Sequence, residues 1–572
     1  MERAGLERSM EYSTSSISKP SDAEQSSPTG EEGSQDKADV ASSTKQSSQT
    51  RAMALLEWKG VLTQSPKVHL GAIVVGLAVV FLFARWFSTW WRLRHIPGPF
   101  WASISDIPKI LWVKTGRAHL IHQQLHEKYG DLVRIGPNTV MFRSPTAIPT
   151  VYPTRPGFPK GDFYASLRPY TKAKGSLQAV FNTQNEDLHK ALKTPIASLY
   201  TVTNVSVFEP HIDDLLRYTE EQLEKRYAKN GETFDLGEWC QYFAFDVMGT
   251  MSFSKRYGFL DEAKDVNGMI GSIHSFMKDT APMTQAFWLD KILYKNWIAD
   301  WLRPAPGLGI LKFVSAVIEE RRQDMAKGKE GIVTRGDSSA GPKDFLTRFV
   351  QIKDSNPEVP PWAVTAWTFS NVTAGSDSVG TVARTTLYHL LTNPATLQKL
   401  YDELRAAGVS QPYPQYAEVR DLPYLDACVL EGSRLHPPFA LPFERIVPDG
   451  GLELFGYYLP AGTNVGGNPY VVNRDKDTFG QDAEAWRPER WIEHGEEHKK
   501  KLERSNLTFG AGRRICLGKH LGIFEIKKFI AFLVLNYEME IVDPSRFKVE
   551  NFWFFRQSGL YAKIRRREPV SA

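Results

Sequence analysis

A glycine-rich run around a single cysteine constrains this chain more than any other stretch. It reads FGAGRRICLG and places Cys516 between Phe509 and Gly518. The glycines let the backbone turn tightly and approach a flat ligand closely, and the neighbouring Arg513 and Arg514 favour the thiolate form of the cysteine. An apolar pattern of helical period follows, so we expect Cys516 near a helix N-terminus, where the helix dipole also favours an anion. The run predicts a metal-bound thiolate.

A free cysteine buried in a glycine-rich turn is the alternative for such a run. The run also resembles the haem-binding loop of the cytochrome P450 superfamily, Phe-x-x-Gly-x-Arg-x-Cys-x-Gly. It meets each fixed position of that pattern, at Phe509, Gly512, Arg514, Cys516 and Gly518. The resemblance implies a mainly α-helical fold with small β-sheets, in which haem b lies between a long central helix and the cysteine loop. It also implies that Cys516 is the axial ligand of the haem iron, a ligation that favours O–O cleavage, and that the other matched residues contact the cofactor.

Composition narrows the class of protein. The chain has 572 residues and a net charge of +5, a basic excess that is too diffuse to indicate nucleic-acid binding. Its three cysteines, Cys240, Cys428 and Cys516, form no CxxC pair and no disulfide framework. This usage is typical of a reducing compartment.

The N-terminal part of the chain changes character along its length. Residues 1–67 have little apolar surface to bury, so we expect a disordered polar tail. Residues 68–84, VHLGAIVVGLAVVFLFA, are close to the shortest length that spans a bilayer as a helix, with a buried core helix as the alternative. Residues 85–99 contain an aromatic and basic collar and the hinge IPGP, which breaks a continuing helix. This order predicts a single-pass signal anchor and a cytosolic catalytic domain over residues 100–572.

The resemblance to the P450 superfamily is continuous from about Pro97 onward. It is strongest to fungal membrane-bound members of the pisatin-demethylase kind. This implies an endoplasmic-reticulum location and a role in secondary metabolism or detoxification.

A long helical pattern over residues 362–391 carries the next motif. The run AGSDS at its middle, residues 374–378, resembles the family's Ala-Gly-x-Asp/Glu-Thr motif on the oxygen side of the haem. The resemblance implies room for a diatomic ligand at Gly375 and proton delivery by Asp377 and Ser378. Ser378 stands where threonine is commoner, which keeps the hydroxyl but frees its rotamer. The alternative is a small-residue packing site with a solvated aspartate.

Further residues match positions that contact the haem propionates in the family. His189 and Lys193 lie one helical turn apart and share a face. Arg445, in the segment LPFER, and Arg514 match two other propionate ligands. Lys193 stands where arginine is commoner, and lysine lacks the planar two-bond fork. A solvated charge on a surface helix is the alternative for the pair.

Three charged residues match the structural network of the family. Glu431 and Arg434 are three residues apart on one predicted helix and can pair. Arg490, in the segment PER, is expected to close the network behind the haem. Two apolar segments, residues 439–442 and 552–555, match pocket-lining positions and favour a hydrophobic small-molecule substrate.

The sequence contains no complete GxGxxG fingerprint of a nicotinamide or flavin site, so the electrons must come from another protein. The family resemblance implies NADPH and a membrane-bound partner reductase, with cytochrome b5 as a further candidate partner. We expect the reductase to dock on basic residues near the cysteine. These are Arg513, Lys519, Lys527 and Lys528.

The main prediction is a monooxygenase that inserts one atom of O₂ into a hydrophobic small molecule. One rival is a haem-thiolate isomerase or dehydratase that needs no oxygen, which Ser378 keeps open. A remote rival is a zinc protease, because HGEEH at residues 494–498 matches the pattern HxxEH. Its charged surroundings are more typical of a solvated loop.

Overall fold

The computed structural model describes residues 66–171, 175–293, 295–302, 308–329 and 342–568. The chain divides into two units, residues 1–84 and residues 85–572, which are described separately. The predicted disordered tail lies outside the described residues, apart from positions 66 and 67.

The apolar N-terminal stretch forms helix α1, Pro66–Arg92. Its segment Ile73–Arg92 is long and apolar enough to cross a membrane, and none of that segment is buried. The helix continues beyond residue 84, where we placed the end of the span, because no glycine or proline interrupts the chain before Pro97. Within the second unit, Trp86 Nε1 donates to the carbonyl of Ile104 at 2.8 Å.

The second unit is mainly α-helical, with small β-sheets, which confirms the predicted fold class. Its longer described helices are α2 Ile107–Lys114, α3 Ala118–Tyr129, α4 Glu186–Lys193, α5 Glu209–Leu223, α6 Leu236–Phe253, α7 Met269–Thr284, α8 Leu308–Ala326, α9 Phe345–Ser355, α10 Ala363–Thr392, α11 Pro394–Ala406, α12 Pro423–Leu435, α13 Gly495–Ser505 and α14 Lys519–Asn536. The shorter α-helical segments are Phe100–Ile104, Ile148–Val151, Phe163–Ser166, Val202–Ser206, Phe259–Glu262, Phe287–Leu293, Trp297–Leu302, Tyr416–Val419, Pro469–Val472 and Lys476–Phe479.

The described strands are short, each of two to six residues. They are β1 Leu132–Gly136, β2 Thr139–Phe142, β3 Tyr170–Thr171, β4 Gly175–Ser176, β5 Phe234–Asp235, β6 Arg445–Ile446, β7 Leu452–Leu454, β8 Tyr457–Leu459, β9 Asn464–Gly467, β10 Tyr537–Ile541, β11 Lys548–Phe552, β12 Phe554–Ser558 and β13 Tyr561–Arg566. One sheet has the order β1-β2-β9-β6 and another the order β10-β13-β5, and the remaining strands form two-stranded ribbons. In the first sheet β2 and β9 are parallel, and β6 pairs antiparallel with β9.

Helix α10 packs against α6, α12 and α14. Small residues allow the close approach. Gly380 lies against the backbone of Gln241 on α6, and Gly432 on α12 lies against Thr386. Prolines flank α10 on both sides, and because they disfavour a continuing helix, the observed bounds differ from the predicted ones by one residue.

Candidate active site

The backbone of the cysteine loop is held by its own hydrogen bond and by one neighbouring segment. The N–H of Cys516 donates to the carbonyl of Phe509 at 2.8 Å and closes the loop. Gly512 has a φ of +61°. The carbonyl oxygens of Tyr152 and Pro153 occupy the space that a side chain at Gly512 would need, so only glycine fits there.

The thiol of Cys516 is accessible and yet closely surrounded by protein. The residue is exposed, but burial among neighbouring atoms raises the pKa of its thiol, whereas the backbone N–H groups of Gly518 and Lys519 and the charges of Lys519 and Lys193 lower it. The half-buried ring of Phe509 has its centroid 5.6 Å from the Lys519 ammonium. No atom lies within 4 Å of the position that a Cβ on Gly518 would take. Cys516 is therefore an exposed residue whose thiol has many protein atoms around it.

The middle of α10 presents an open face. Ala374 is exposed, and the hydroxyl of Ser378 donates to its carbonyl at 2.7 Å. Tyr200 donates to the side chain of Asn371, one turn before Ala374, at 2.6 Å. Burial raises the pKa of Tyr200, and the charge of Cys516 raises it further. Tyr200 therefore lies close to both the open face of α10 and the cysteine loop.

Gly375 and Asp377 point towards α6 instead. A Cβ on Gly375 would lie 2.7 Å from the sulfur of Met248 on α6. The missing side chain of Gly375 serves this helix contact, whereas room for a diatomic ligand at Gly375 stays a prediction. Ala374 is the small residue on the open face. The carboxylate of Asp377 accepts a hydrogen bond from Gln241 of α6, and burial raises the pKa of Asp377 to about 6.

A cluster of cations lies beside the cysteine loop. Arg514 donates to one carboxylate oxygen of Glu186 at 2.6 Å, and Arg513 pairs with the other at 3.0 Å. Lys193 donates to the carbonyl of Arg513 at 3.0 Å. His189 is buried and its Nδ1 has no hydrogen-bond partner among the described residues. Burial and the nearby charges of Arg514 and Lys193 lower the pKa of His189 to about 3. The structure thus brings His189, Lys193 and Arg514 together.

Arg445 and Lys160 extend this cluster. Both are buried, and a β-bridge joins their backbones. Arg445 donates to the hydroxyl of Tyr164 at 3.3 Å. Burial and the charges of Arg445 and Arg514 lower the pKa of Lys160 well below its ordinary value. Within the described part of the chain, neither Arg445 nor Lys160 forms an ion pair. The sequence analysis missed Lys160, which lies in a loop without a recognisable pattern.

Glu431, Arg434 and Arg490 form one buried network. Both carboxylate oxygens of Glu431 accept from Arg434 at 2.8 Å. One of them also accepts from Arg490 at 2.9 Å, and the other accepts from Trp491 Nε1 at 2.9 Å. Glu431 and Arg434 are 0% exposed, and Arg490 is 2% exposed. The charges are removed from water but satisfied, which is the condition for a stable buried ion pair.

The network reaches the cysteine loop through Asn473. Arg434 donates to the carbonyl of Asn473 at 2.8 Å. The side-chain amide of Asn473 accepts from the N–H of Leu507 at 2.8 Å and donates to the hydroxyl of Thr508 at 2.9 Å. Leu507 and Thr508 directly precede Phe509, so the network positions the start of the loop.

Two of the four lysine and arginine residues expected to dock a reductase are buried. Lys528 pairs with Glu209 at 2.5 Å and with Asp213 at 2.8 Å, and Lys527 pairs with Asp426 at 2.7 Å. The prediction that Lys527 and Lys528 meet an acidic partner is wrong, because acidic residues of this chain already occupy them.

The run HGEEH lies at the start of α13, and most of its side chains are exposed. His494 and His498 have ring centroids 4.9 Å apart. Within the described residues, no group of three His, Cys, Asp or Glu side chains could hold a metal ion. The zinc-protease interpretation therefore lacks a third ligand in the described part of the chain.

The geometry points to one family, and comparison with known proteins decides it. The family model for Cytochrome P450 matches residues 98–561. The chain belongs to the cytochrome P450 family. It is similar to the cytochrome P450 monooxygenase mfmA of Annulohypoxylon moriforme, with 59% identity over 509 residues that cover 88% of this chain and 98% of that relative.

Other P450 relatives have the same extent. The monooxygenase pkfB of Emericella nidulans is 52% identical over 505 residues, which cover 88% of this chain and 97% of the relative. The monooxygenase asR2 of Sarocladium schorii is 50% identical over 513 residues, which cover 87% and 98%. This P450 is therefore a haem-dependent monooxygenase, an oxidoreductase that incorporates oxygen.

The residues present fit the haem that P450 proteins carry. Arg445 and Lys160 are buried cations that can receive propionate carboxylates, and His189 offers an unused ring nitrogen. The open space at the Cys516 sulfur and at Ala374 suits a flat ring between the cysteine loop and α10.

Proposed function

We propose that Cys516 is the axial thiolate ligand of haem b in this P450. The observation that carries the proposal is an accessible thiol beside a buried cluster whose cations outnumber its carboxylates. Unpaired buried charge destabilises a folded protein, so such a cluster favours an anionic ligand. Phe509, Gly512 and Gly518 shape the loop around the ring.

The propionates of the haem are assigned to the cation cluster. Arg445 and Arg514 would hold them through guanidinium hydrogen bonds, and His189 and Lys193 add a ring nitrogen and an ammonium group. Lys160 joins this set because its charge has no carboxylate partner within the described residues.

Haem held by a thiolate supplies the activation of O₂, and the chain supplies orientation, a dry cavity and protons. Asp377 is assigned as the proton donor, since an acid with a pKa of about 6 is suited to transfer near neutral pH. Ser378, whose hydroxyl lies on the open face of α10, is assigned to pass the proton on.

The substrate is proposed to be a hydrophobic small molecule of secondary metabolism. Aromatic side chains support this: the ring centroids of Phe439 and Phe554 are 4.1 Å apart, and those of Phe439 and Trp553 are 4.8 Å apart. The ring of Phe181 is tilted against that of Trp553, with the centroids 5.4 Å apart, and Phe181 retains an exposed surface. The pathway is inferred from the resemblance to fungal members of the family.

The electrons are proposed to come from NADPH through a membrane-bound reductase, with cytochrome b5 as a possible second donor. The apolar segment Ile73–Arg92 supports a single-pass anchor, and we place it in the endoplasmic reticulum with the catalytic unit in the cytosol. Lys519, which forms no ion pair within the described residues, remains as the main candidate docking residue. Arg513 is a weaker candidate because it already pairs with Glu186 at 3.0 Å.

The test is co-expression with a fungal NADPH reductase, followed by spectroscopy and product analysis. We expect the reduced protein under carbon monoxide to show the red-shifted Soret band of thiolate ligation, and Cys516→Ser to abolish it. With ¹⁸O₂, one labelled atom should enter the product. A Soret band without this red shift in the reduced, carbon monoxide-bound protein would contradict the thiolate assignment.

A further inference from the structure

The carboxylate of Asp377 is held by a short chain of side chains that links α10 to α6. Gln241 Nε2 donates to Asp377 Oδ1. The other end of the same amide, Gln241 Oε1, accepts from Arg384 Nη2 at 3.3 Å. Arg384 also donates to the carbonyls of Gly237 and Gln557. Asp377, Gln241 and Arg384 thus form one connected path.

This chain determines which way the amide of Gln241 points. A guanidinium is only a donor, so Arg384 must face the amide oxygen of Gln241. The NH₂ group is then directed at Asp377, where it can only donate. Gly380 brings the backbone of Gln241 against α10, since a Cβ on Gly380 would lie 3.2 Å from Gln241 Cα. The donor is therefore fixed in place by contacts at both ends.

The surroundings of Asp377 contain few other charges. Burial raises the pKa of Asp377, the hydrogen bond from Gln241 and the charge of Arg384 lower it, and the charge of Asp265 raises it. The carboxylate of Asp265 accepts from the N–H groups of Ile270 and Gly271 and is directed at them. Gln241 is the group that directly touches the Asp377 carboxylate.

The carboxylate is consequently turned away from the cavity. Ser378, the next residue, has its hydroxyl on the open face beside Ala374, whereas Asp377 faces α6. A proton on Asp377 reaches the cavity only after the side chain leaves Gln241 and rotates.

We propose that Gln241 is a positioning residue that holds Asp377 turned towards α6 between proton deliveries. This inference rests on the proposed function. In the transfer, the O–H bond of Asp377 breaks and an O–H bond forms on Ser378 Oγ or on a cavity water. The receiving hydroxyl or water releases one of its own protons in the same step, and that proton is consumed in the reduction of O₂. The carboxylate then returns to the Gln241 amide and takes a new proton from solvent water. No electrons are exchanged.

The first measurement is a titration that needs no turnover. Infrared difference spectra of the resting ferric protein, wild type against Asp377→Asn, isolate the carboxyl C=O stretch of Asp377. We expect it to titrate near pH 6 in the wild type. In Gln241→Leu the midpoint should rise by about one pH unit, because a hydrogen bond that stabilises the carboxylate is lost.

The second measurement is the coupling of O₂ consumption to product in the reductase-supported enzyme. Gln241→Leu should lower the product formed per O₂ about two- to ten-fold and release the balance as hydrogen peroxide, as expected for a misplaced proton donor. In an Asp377→Asn background, Gln241→Leu should have no further effect. A merely structural residue would lower the coupling in both backgrounds.

Two further variants test whether the effects come from the contact between Gln241 and Asp377. Gln241→Glu keeps the size of the side chain and the contact to Arg384 but places a second carboxylate beside Asp377, so the midpoint should rise further than in Gln241→Leu. Gln398→Leu is the matched control. It removes a similar amide-to-carboxylate bond, from Gln398 to Asp402 at 2.8 Å on the exposed face of α11, and should change neither the titration nor the coupling.

The outcomes separate this inference from the proposed function. An unchanged titration in both Gln241 variants overturns the positioning role. A shifted titration with unchanged coupling overturns the control of proton delivery. A shifted titration in a protein that forms no oxygenated product supports the placement of Asp377 by Gln241 and contradicts the oxygenase assignment instead. The thiolate Soret band reports in each variant whether the fold and the haem are retained.

Discussion

Two buried groups of arginines contact the cysteine loop or the residues just before it, and they differ in charge balance. Around Glu431, two arginines share one carboxylate and extend to main-chain carbonyls, and none of the buried polar atoms of Glu431, Arg434 and Arg490 lacks a partner. Around Arg445, by contrast, the ammonium of Lys160 donates to the carbonyl of Phe181 but has no carboxylate partner, and Nδ1 of His189 has no hydrogen-bond partner among the described residues. The first arrangement is typical of structure, whereas the second is typical of a binding site.

The largest expected effect comes from disrupting the group around Glu431, the balanced group, in which the charges are paired. Glu431→Gln leaves Arg434 buried without a counter-charge and leaves Arg490 with only the partly exposed carboxylate of Asp482, at 3.1 Å. This change should destabilise the protein by about 3–5 kcal/mol. Urea unfolding of the haem-loaded protein measures the loss. Glu497→Gln, at an exposed pair with Lys500, should change stability by less than about 0.5 kcal/mol. Equal stability losses in the two variants would contradict the difference between the groups.

A smaller and more selective effect is expected at the group around Arg445, the unbalanced group, in which cations outnumber carboxylates. Arg445→Met removes one of several like charges, so the apoprotein should lose at most about 1 kcal/mol of stability. It should nevertheless lose haem about 10- to 100-fold faster, because a charged hydrogen bond is worth about 1.5–3 kcal/mol.

Transfer of haem to an excess of a haem-scavenging protein measures that rate. The matched change Arg434→Met, in the balanced group, should destabilise the apoprotein and the loaded protein alike. If Arg445→Met also unfolds the apoprotein, the cluster is structural and the comparison fails.

The pH dependence of stability should distinguish the two groups further. Buried neutral histidines have pKa values lowered below the unfolded value of 6.5, so their contribution is present above pH 6.5 and is lost as the pH falls towards those values. They are His189, His119 and His122, at about 3, and His126 and His389, at about 4. Each adds a slope of about 1.4 kcal/mol per pH unit.

Glu431 titrates in a different window. Burial raises its pKa, but Arg434 and Arg490 together lower it below the ordinary value of 4.5. Its contribution is therefore lost only below pH 4.5. Through the histidines, denaturant midpoints of the apoprotein should fall between pH 6.5 and 4.5, and they should fall less steeply in His189→Gln. An identical slope in His189→Gln would show that His189 does not take part.

The smallest expected effect is at HGEEH. His498→Ala should leave product formation unchanged and stability within about 0.5 kcal/mol, because the run is largely solvated. A zinc chelator should likewise leave turnover unchanged. Loss of activity in either experiment would revive the metal interpretation.

Predictions from the sequence succeeded where the signal is local. The bounds of α10 follow from its flanking prolines, and the cysteine loop is recognisable because its glycines and its cysteine lie within one short run. The charged residues of α14 show the limit. Lys527 and Lys528 look like surface residues in the sequence. Their partners, Asp426 for Lys527 and Glu209 for Lys528, lie far away along the chain.

The same limit applies to the open face of α10. The AGSDS run identifies the helix segment, but a motif does not say which residue faces which neighbour. Gln241 and Met248, which take up Asp377 and Gly375, are more than 120 residues away along the chain. Lys160 has no local pattern at all. Such contacts emerge only from tertiary packing.

The contact between Gly375 and Met248 has a consequence for engineering this enzyme. A library that diversifies the AGSDS segment would treat its first two positions as equivalent, yet they border different neighbours. Larger residues at 374 would reshape the reaction chamber, whereas larger residues at 375 would push apart two helices and lower expression. Randomising 374 while leaving 375 untouched should therefore yield more folded clones and a wider range of products.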